Sequence, residues 1–390
     1  MAEQEEAKTV QLVDRVLERA IKNGASDIHI EPRREEVRIR FRIDGVLVER
    51  PPFALMLGQS FTSRLKVMAN IDIAEKRLPQ DGTFRFTFGN EEMEVDVRMS
   101  TFPTEYGEKV VLRLLIRDAD TLNLKAIGMP GKIREQVTEI ASRSLGMLLV
   151  TGPTGSGKTS TLYAMLDAVD ARTRNIMTLE DPIEYRFSDV IQGQTNQKIG
   201  FTFATGLRSI LRQDPDVILV GEMRDGETAD IAFKSALTGH LVLSSIHTNS
   251  AMETFVRLFD MGLERYVVAS ALDALLSQRL VRKLCAYCRD LQPYDADLNA
   301  LVGCKPNDDV SIYKSKGCAK CNGTGFRGRT GVFELIEVDD ELNDIVKSDS
   351  ASYAELRTFL TQRGYLGLRQ AGFTLLQRGL TSLQEVYRVT

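Results

Sequence analysis

At 390 residues the chain exceeds what one ordinary hydrophobic core accommodates, and two or three domains are expected. With 43% hydrophobic and 27% charged residues it has the make-up of a soluble globular protein, and its net charge of −4 supplies no cationic field, so nucleic-acid partners are not expected. No apolar run approaches the ~20 residues of a membrane span. The acidic start, Met1 to Glu6, is unlike a signal peptide. The expected location is cytosolic, with any membrane role acting through partners.

Ala7 to Asn23 carries Val10, Val13, Leu17, Ala20 and Ile21 at helical spacing, and Gly24 follows as a stop signal. From Val37 the period changes to two. Val37, Ile39, Phe41 and Ile43 alternate with Arg38, Arg40, Arg42 and Asp44, which predicts a strand with one charged face. Asp44-Gly45 marks a hairpin turn into Val46–Val48. A second helix is expected over Phe53 to Ile73, then a turn at Pro79–Gly82 and strands on either side of Gly89-Asn90. These elements predict a small α+β domain over roughly residues 8 to 125.

Beyond Gly131 the pattern becomes strand–helix–strand. Apolar, β-rich runs at Met147–Val150, Ile176–Leu179, Val217–Val220 and Leu241–Ile246 predict a parallel sheet, in which ligands gather outside the carboxyl ends of the strands. The first run leads into Gly152-Pro153-Thr154-Gly155-Ser156-Gly157-Lys158-Thr159 and then a helical pattern, Ser160 to Val169. Strand, glycine-rich turn and helix form a cradle in which backbone N–H groups and the helix N-terminus meet phosphate oxygens. In that cradle Lys158 would reach the β- and γ-phosphates of a nucleoside triphosphate and the Thr159 hydroxyl would ligate Mg²⁺. The second run leads into Glu180, Asp181 and Glu184, and the third into Gly221-Glu222. Glu222 is the candidate for polarising the attacking water. The fourth run is bracketed by His240 and His247, two of only three histidines, and His247 at its ligand end is the candidate γ-phosphate sensor.

Four of the five cysteines form two CxxC pairs, Cys285/Cys288 and Cys318/Cys321. Paired thiolates at such spacing suit a tetrahedral, structural Zn²⁺ site. Cys304 breaks neither pair and is read as a spectator.

Taken together these segments resemble the secretion ATPases of type II secretion and type IV pilus assembly, the general secretory pathway protein E-like family. The matching stretches are GPTGSGKT at 152–159, TLEDPIEY at 178–185, LRQDPDVILVGEMRD at 211–225 and TGHLVLSSIHTNSA at 238–251. ASDIHIEP at 25–32 and RLPQDG at 77–82 match that family's N-terminal domain, and the similarity runs from about residue 8 to the C-terminus. The resemblance implies an α/β protein. A PAS-like α+β domain at 8–125 would precede a RecA-like P-loop ATPase domain at 126–284, a tetracysteine metal-binding module at 285–330 and a helical C-terminal region at 331–390. It also implies a homo-hexameric motor acting on inner-membrane platform and docking proteins, peripheral to the inner membrane through those partners. Phosphate-binding positions would be Gly152 to Thr159 and Ser160. Catalytic positions would be Lys158, Glu184, Glu222 and His247, with Arg64, Arg77, Arg98 and Arg113 folding over the nucleotide.

The tetracysteine pairs speak against a pilus-retraction ATPase, a branch that lacks them. Two departures stand out. The family's far N-terminal docking domain is missing ahead of the PAS-like segment, and Gly226 stands where the resemblance suggests leucine, loosening a helix start. The alternative readings are a nucleotide-dependent switch with negligible turnover and, less favoured by the charge, a RecA-like nucleic-acid translocase.

Overall fold

The computed structural model describes residues 2–88, 93–115, 123–293, 295–303, 311–348 and 353–390. The chain divides into two compact units, Met1–Asp118 and Ala119–Thr390. Between them lie residues 116–122, outside the described set, as do Gly89-Asn90 and Cys304.

The first unit runs α1 (Ala2–Lys22), β1 (Ala25–Pro32), β2 (Glu36–Ile43), β3 (Val46–Ala54), α2 (Gly58–Met68), β4 (Gln80–Phe88), β5 (Met93–Thr104) and β6 (Gly107–Leu115). The strands form one antiparallel sheet in the order β3-β2-β1-β6-β5-β4. Period-two alternation buries Ile28, Ile30, Phe41, Val97 and Leu112 against Val13 and Leu17 of α1 and Phe61 and Leu65 of α2. The opposite face carries the arginines of β2 in ion pairs: Arg38 with Glu49, Arg40 with Glu31 and Arg42 with Asp27. Asp44 and Gly45, both at positive φ, make the β2–β3 hairpin turn.

Two sequence expectations change here. The helix expected over 53–73 is confined to Gly58–Met68, because Phe53 pairs with Val37 in the sheet and Asn70 turns left-handed (φ 53°) just beyond the helix. The turn expected at Pro79–Gly82 is the start of β4, where Gln80, Asp81 and Gly82 pair with Thr101, Ser100 and Met99. Strand pairing there overrides the turn propensity of Asp and Gly.

The second unit holds a sheet in the order β15-β12-β7-β11-β10-β8-β9. Its strands are β7 (Gly146–Thr151), β8 (Ile176–Glu180), β9 (Ile191–Gln194), β10 (Val217–Val220), β11 (Leu241–Ile246), β12 (Leu272–Leu284) and β15 (Phe326–Glu337). All neighbours are parallel except β15, which runs against β12. Helices cover both faces, so β7, β10 and β11 are buried throughout. On one face α6 (Gly226–Leu237), α7 (Ala251–Asp260) and α8 (Arg265–Ala271) bury Phe233, Phe255 and Val268. On the other, α3 (Gly131–Ser142) and α4 (Lys158–Leu166) bury Val137, Leu162 and Tyr163. Full burial of each such aromatic or aliphatic side chain contributes ~2–3 kcal/mol.

The boundary expected at 330 falls inside β15, which belongs to this sheet, so the C-terminal helices begin only with α10 (Asp340–Lys347). α11 (Tyr353–Gln362), α12 (Leu368–Gln377) and α13 (Leu383–Val389) follow. α13 is fastened to β12 by Glu385, only 2% exposed, which accepts from the guanidinium groups of Arg282 and Arg388. The chain is thus a mixed α/β protein with an N-terminal sheet, a central Walker-type fold, a four-cysteine cluster and C-terminal helices.

Burial opposes ionisation of Glu385, but its bonds from Arg282 and Arg388 prevail and hold the carboxyl at about 2, below the ordinary 4.5. The stability this lends is complete above about pH 4.5 and lost as pH falls toward 2. Melting temperature measured against pH should therefore drop more steeply over that acid window in the parent than in Glu385→Gln.

Candidate functional site

The P-loop leaves β7 at Thr151 and enters α4 at Lys158. Gly157 takes φ 92°, a left-handed turn, and a side chain there would strike the Gln278 amide of β12. Lys158 is buried, and its Nζ donates to the carbonyls of Gly152 (2.7 Å) and Pro153 (3.1 Å). Burial lowers its pKa to about 8, the Arg279 charge adds to this, and Glu222 opposes it. The Ser156 hydroxyl is buried without a hydrogen-bond partner, whereas Thr159 and Ser160 are exposed on the first turn of α4. A buried cation, an orphaned donor and a helix N-terminus together suit a polyphosphate.

Glu222 follows β10, and His247 follows the adjacent β11. His247 Nε2 lies 3.3 Å from one Glu222 oxygen, and Arg224 Nη2 lies 2.5 Å from the other. Burial works against the Glu222 carboxylate, yet the hydrogen bond and the charge of Arg224, with the hydrogen bond from His247, hold its pKa below the ordinary value. Burial, and then the Lys158 charge, lower the pKa of His247 despite Glu222, so the imidazole is neutral near pH 7. Lys158, Glu222 and His247 therefore sit within one electrostatic neighbourhood. His240 lies at the far end of β11, where its Nδ1 contacts the Ser235 carbonyl (3.0 Å), a structural role.

The acidic loop after β8 divides. Glu180 is 3% exposed and absorbed in bonding: it accepts from Thr178 (2.6 Å), Gln192 (3.0 Å) and the Tyr163 hydroxyl of α4. Asp181 and Glu184 are exposed. The backbone N–H of Glu184 donates to the same Tyr163 hydroxyl (3.2 Å), so the loop hangs from the P-loop helix. Tyr163 is a residue that the sequence reading missed. Gly226 does not loosen α6: Asp225 caps it by accepting from Thr228 N–H (2.8 Å), and a Cβ at 226 would lie 2.3 Å from the Met261 carbonyl oxygen.

The four candidate arginines belong to the first unit. Arg98 and Arg113 face each other across β5 and β6, with Arg113 Nε 3.1 Å from Asp27 of β1. Arg77 is highly exposed and pairs with Glu75 (2.8 Å), and Arg64 lies on α2, where its charge acts on Asp14 of α1.

Cys285, Cys288, Cys318 and Cys321 converge with their sulfurs all within 4.8 Å of one another. The pairs Cys285–Cys318 (4.0 Å), Cys288–Cys321 (3.8 Å) and Cys318–Cys321 (3.8 Å) match the ~3.8 Å edge of a tetrahedron with ~2.3 Å metal–sulfur bonds. Cys321 Sγ also accepts the N–H groups of Cys318 (3.2 Å) and Gly325 (3.1 Å), which favours its thiolate. The donor set fits a metal ion. The cluster is bonded to the C-terminal helices: Leu284 N–H donates to Leu380 O and Arg289 Nη1 to Gly379 O, each 2.8 Å.

A phosphate cradle at the head of a parallel sheet, with a carboxylate and an imidazole on the neighbouring strands, defines a P-loop ATPase. A family model described as Type II/IV secretion system protein matches residues 2–388, and the chain belongs to that family. It is 49% identical over 387 residues to Type II secretion system protein E of Klebsiella pneumoniae, covering 99% of this chain and 77% of that one. To the Type IV pilus assembly ATPase PilB of Myxococcus xanthus it is 45% identical over 388 residues, covering 98% and 68%. The crystal structure of the pilus retraction motor PilT with bound ADP superposes with a TM-score of 0.62 at 26% identity, over 97% of this chain and 96% of that one. Among the described residues no helix is long and apolar enough to cross a membrane.

Two outcomes are expected. Nucleotide affinity should be level below about pH 8 and then fall, by up to ~10-fold per pH unit, as Lys158 deprotonates. Titration with a fluorescent ATP analogue from pH 7 to 9.5 reads this, and Lys158→Ala should bind poorly without the pH step. Chelation of metal from the cysteine cluster should lower the melting temperature and raise amide exchange in 368–390, leaving β7 and β10 protected.

Proposed function

We propose that this chain is an ATP-hydrolysing cytoplasmic motor that powers assembly of a pilus or pseudopilus, in type II secretion or type IV pilus biogenesis. The observation that carries the reading is the meeting of the buried P-loop lysine with Glu222 and His247, 3.3 Å apart, at the carboxyl edge of one parallel sheet. The names of the relatives, secretion and pilus-assembly proteins, support the cellular role.

In this reading Gly152 to Ser160 hold the triphosphate and Lys158 neutralises its β- and γ-oxygens. Thr159 would hold Mg²⁺, which would supply further charge neutralisation. Glu222, with Glu184 of the exposed acidic loop, orients a water in line with the γ-phosphorus. The oxygen–phosphorus bond forms as the bond to the β–γ bridging oxygen breaks, releasing ADP and phosphate. The neutral imidazole of His247 faces the γ-phosphate and reports its presence to Glu222. Arg64, Arg77, Arg98 and Arg113 stabilise the charge spread over the transferring group.

The first unit acts as the PAS-like domain, and the seven-stranded sheet of the second unit, β15 included, as the RecA-like ATPase domain. Cys285, Cys288, Cys318 and Cys321 would hold Zn²⁺, which the all-sulfur donor set favours, and α12 and α13 pack against the segment between the two cysteine pairs. The working form is a homo-hexameric ring, peripheral to the inner membrane through platform and docking proteins.

Mg²⁺-dependent ATP hydrolysis per subunit, measured over a range of protein concentrations, tests the reading. Activity per subunit should rise with concentration, and Glu222→Gln should bind ATP yet turn over ~100-fold more slowly or worse. Near-normal turnover in Glu222→Gln would overturn the assignment.

A further inference from the structure

Arg279 is a buried cation in the middle of β12, flanked by Leu275, Leu276 and Val281 of the core. It is 8% exposed in β12, and its hydrogen bonds go to main-chain carbonyls rather than to a carboxylate. Nη2 donates to Asn249 O (2.6 Å), Nη1 to Gln278 O (3.0 Å) and Nε to Val389 O (3.0 Å). Asn249 lies two residues after His247, in the loop between β11 and α7. From the neighbouring strand Glu334, 4% exposed, accepts the N–H of Ala251 (3.1 Å) and of Leu368 (2.9 Å). The two charged groups thus take the carbonyl before Ser250 and the N–H after it, and Ser250 itself caps α7 by accepting from Glu253 N–H (3.2 Å). On its other side Arg279 abuts the P-loop: Nη1 lies 3.2 Å from where a Cβ on Gly152 would stand. Gln278, next to it, accepts from the Thr161 hydroxyl of α4 (2.6 Å).

We propose that Arg279, together with Glu334 on the adjacent strand, is a positioning residue that fixes the His247 loop against the P-loop. The inference rests on reading His247 as the γ-phosphate-facing group. Removing a guanidinium and a carboxylate from water carries a desolvation penalty that an apolar pair would avoid. What the charged pair supplies in return is directional bonding: one side chain joins β12, the histidine loop and the last turn of α13, and the other joins the start of α7 to the start of α12. Such a staple lies outside the hydrogen bonds of the phosphate cradle itself, in which Lys158 donates to the carbonyls of Gly152 and Pro153. Its loss lets His247 drift from Glu222 while nucleotide still binds.

The full chain carrying Arg279→Lys, Glu334→Gln or His247→Ala, and each of the first two combined with His247→Ala, tests this. Turnover of ATP and affinity for a fluorescent ATP analogue are measured for all five. Arg279→Lys and Glu334→Gln should each lower kcat by ~10-fold or more, with KM and analogue affinity within ~2-fold of the parent. On the His247→Ala background the same changes should alter kcat by less than ~2-fold, since a residue acting through His247 has nothing left to position. Effects that multiply in full on that background, or affinity that falls in step with kcat, would overturn the inference alone. Normal turnover in the single His247→Ala variant would instead remove the reading of His247, and the inference with it. Should Arg279→Lys melt below the assay temperature, Glu334→Gln carries the identical comparison.

Discussion

Everything chemical in the second unit depends on the register of its parallel strands. Thr151 stands beside Ile246 on one side and Ser277 on the other, and Val220 stands beside Ser244 and Leu179. Because β7, β11 and β10 end near one level, the residues that follow them, Gly152, His247 and Glu222, are delivered to one edge, beside Gln278 of β12, which runs on past it. A slip of one residue in any strand would exchange side chains between its two packed faces, which close packing on both sides resists. The register is thus enforced by the core, and the site inherits it.

The edge so formed is electrostatically uneven. Lys158 and Arg224 act on a single carboxylate, Glu222, and Lys158 is largely withdrawn from water. A cation held as Lys158 is held is poorly solvated, and its interaction with a polyanion is correspondingly stronger than it would be on an open surface. Burial, and then the Lys158 charge, lower the pKa of His247, while Arg224 lowers that of Glu222, so a neutral imidazole stands beside an ionised carboxylate.

The sequence displayed the chemistry more fully than the architecture. The four apolar runs from Met147 to Ile246 correspond to β7, β8, β10 and β11, because a buried parallel strand leaves a continuous apolar signature and each one ended in a recognisable motif. The cysteine pairs were legible for a similar reason, since their spacing alone implies a shared ligand, and the four sulfurs do converge. β12 and β15 were not legible: Ser277, Gln278, Arg279 and Glu334 interrupt their apolar pattern, and β15 crosses the boundary expected at 330. Buried polar residues are counted against a strand by any periodicity rule, yet here they are what joins the P-loop to the histidine loop. The acidic loop failed in the opposite direction. Its three carboxylates look equivalent in sequence, and only packing against Tyr163 sets buried Glu180 apart from exposed Asp181 and Glu184.

β12 also carries the argument beyond the nucleotide edge. Its middle holds Gln278 and Arg279 against the P-loop and the histidine loop. A few residues on, Arg282 binds Glu385 of α13, and Leu284 leads directly into Cys285 of the metal cluster. β12 is paired with β7 up to Ser277 and with β15 as far as Leu284, so these three attachments lie on one continuous strand rather than on separate elements. The cluster, with its four sulfurs bridging 33 positions of sequence, sets the far end of that element, and the C-terminal helices brace its side through Glu385, Leu380 and Val389. A four-cysteine site of this kind has no open position for chemistry. Its physical contribution lies in the strand it adjoins, because that strand carries Arg279 to the carbonyl of Asn249 in the histidine loop.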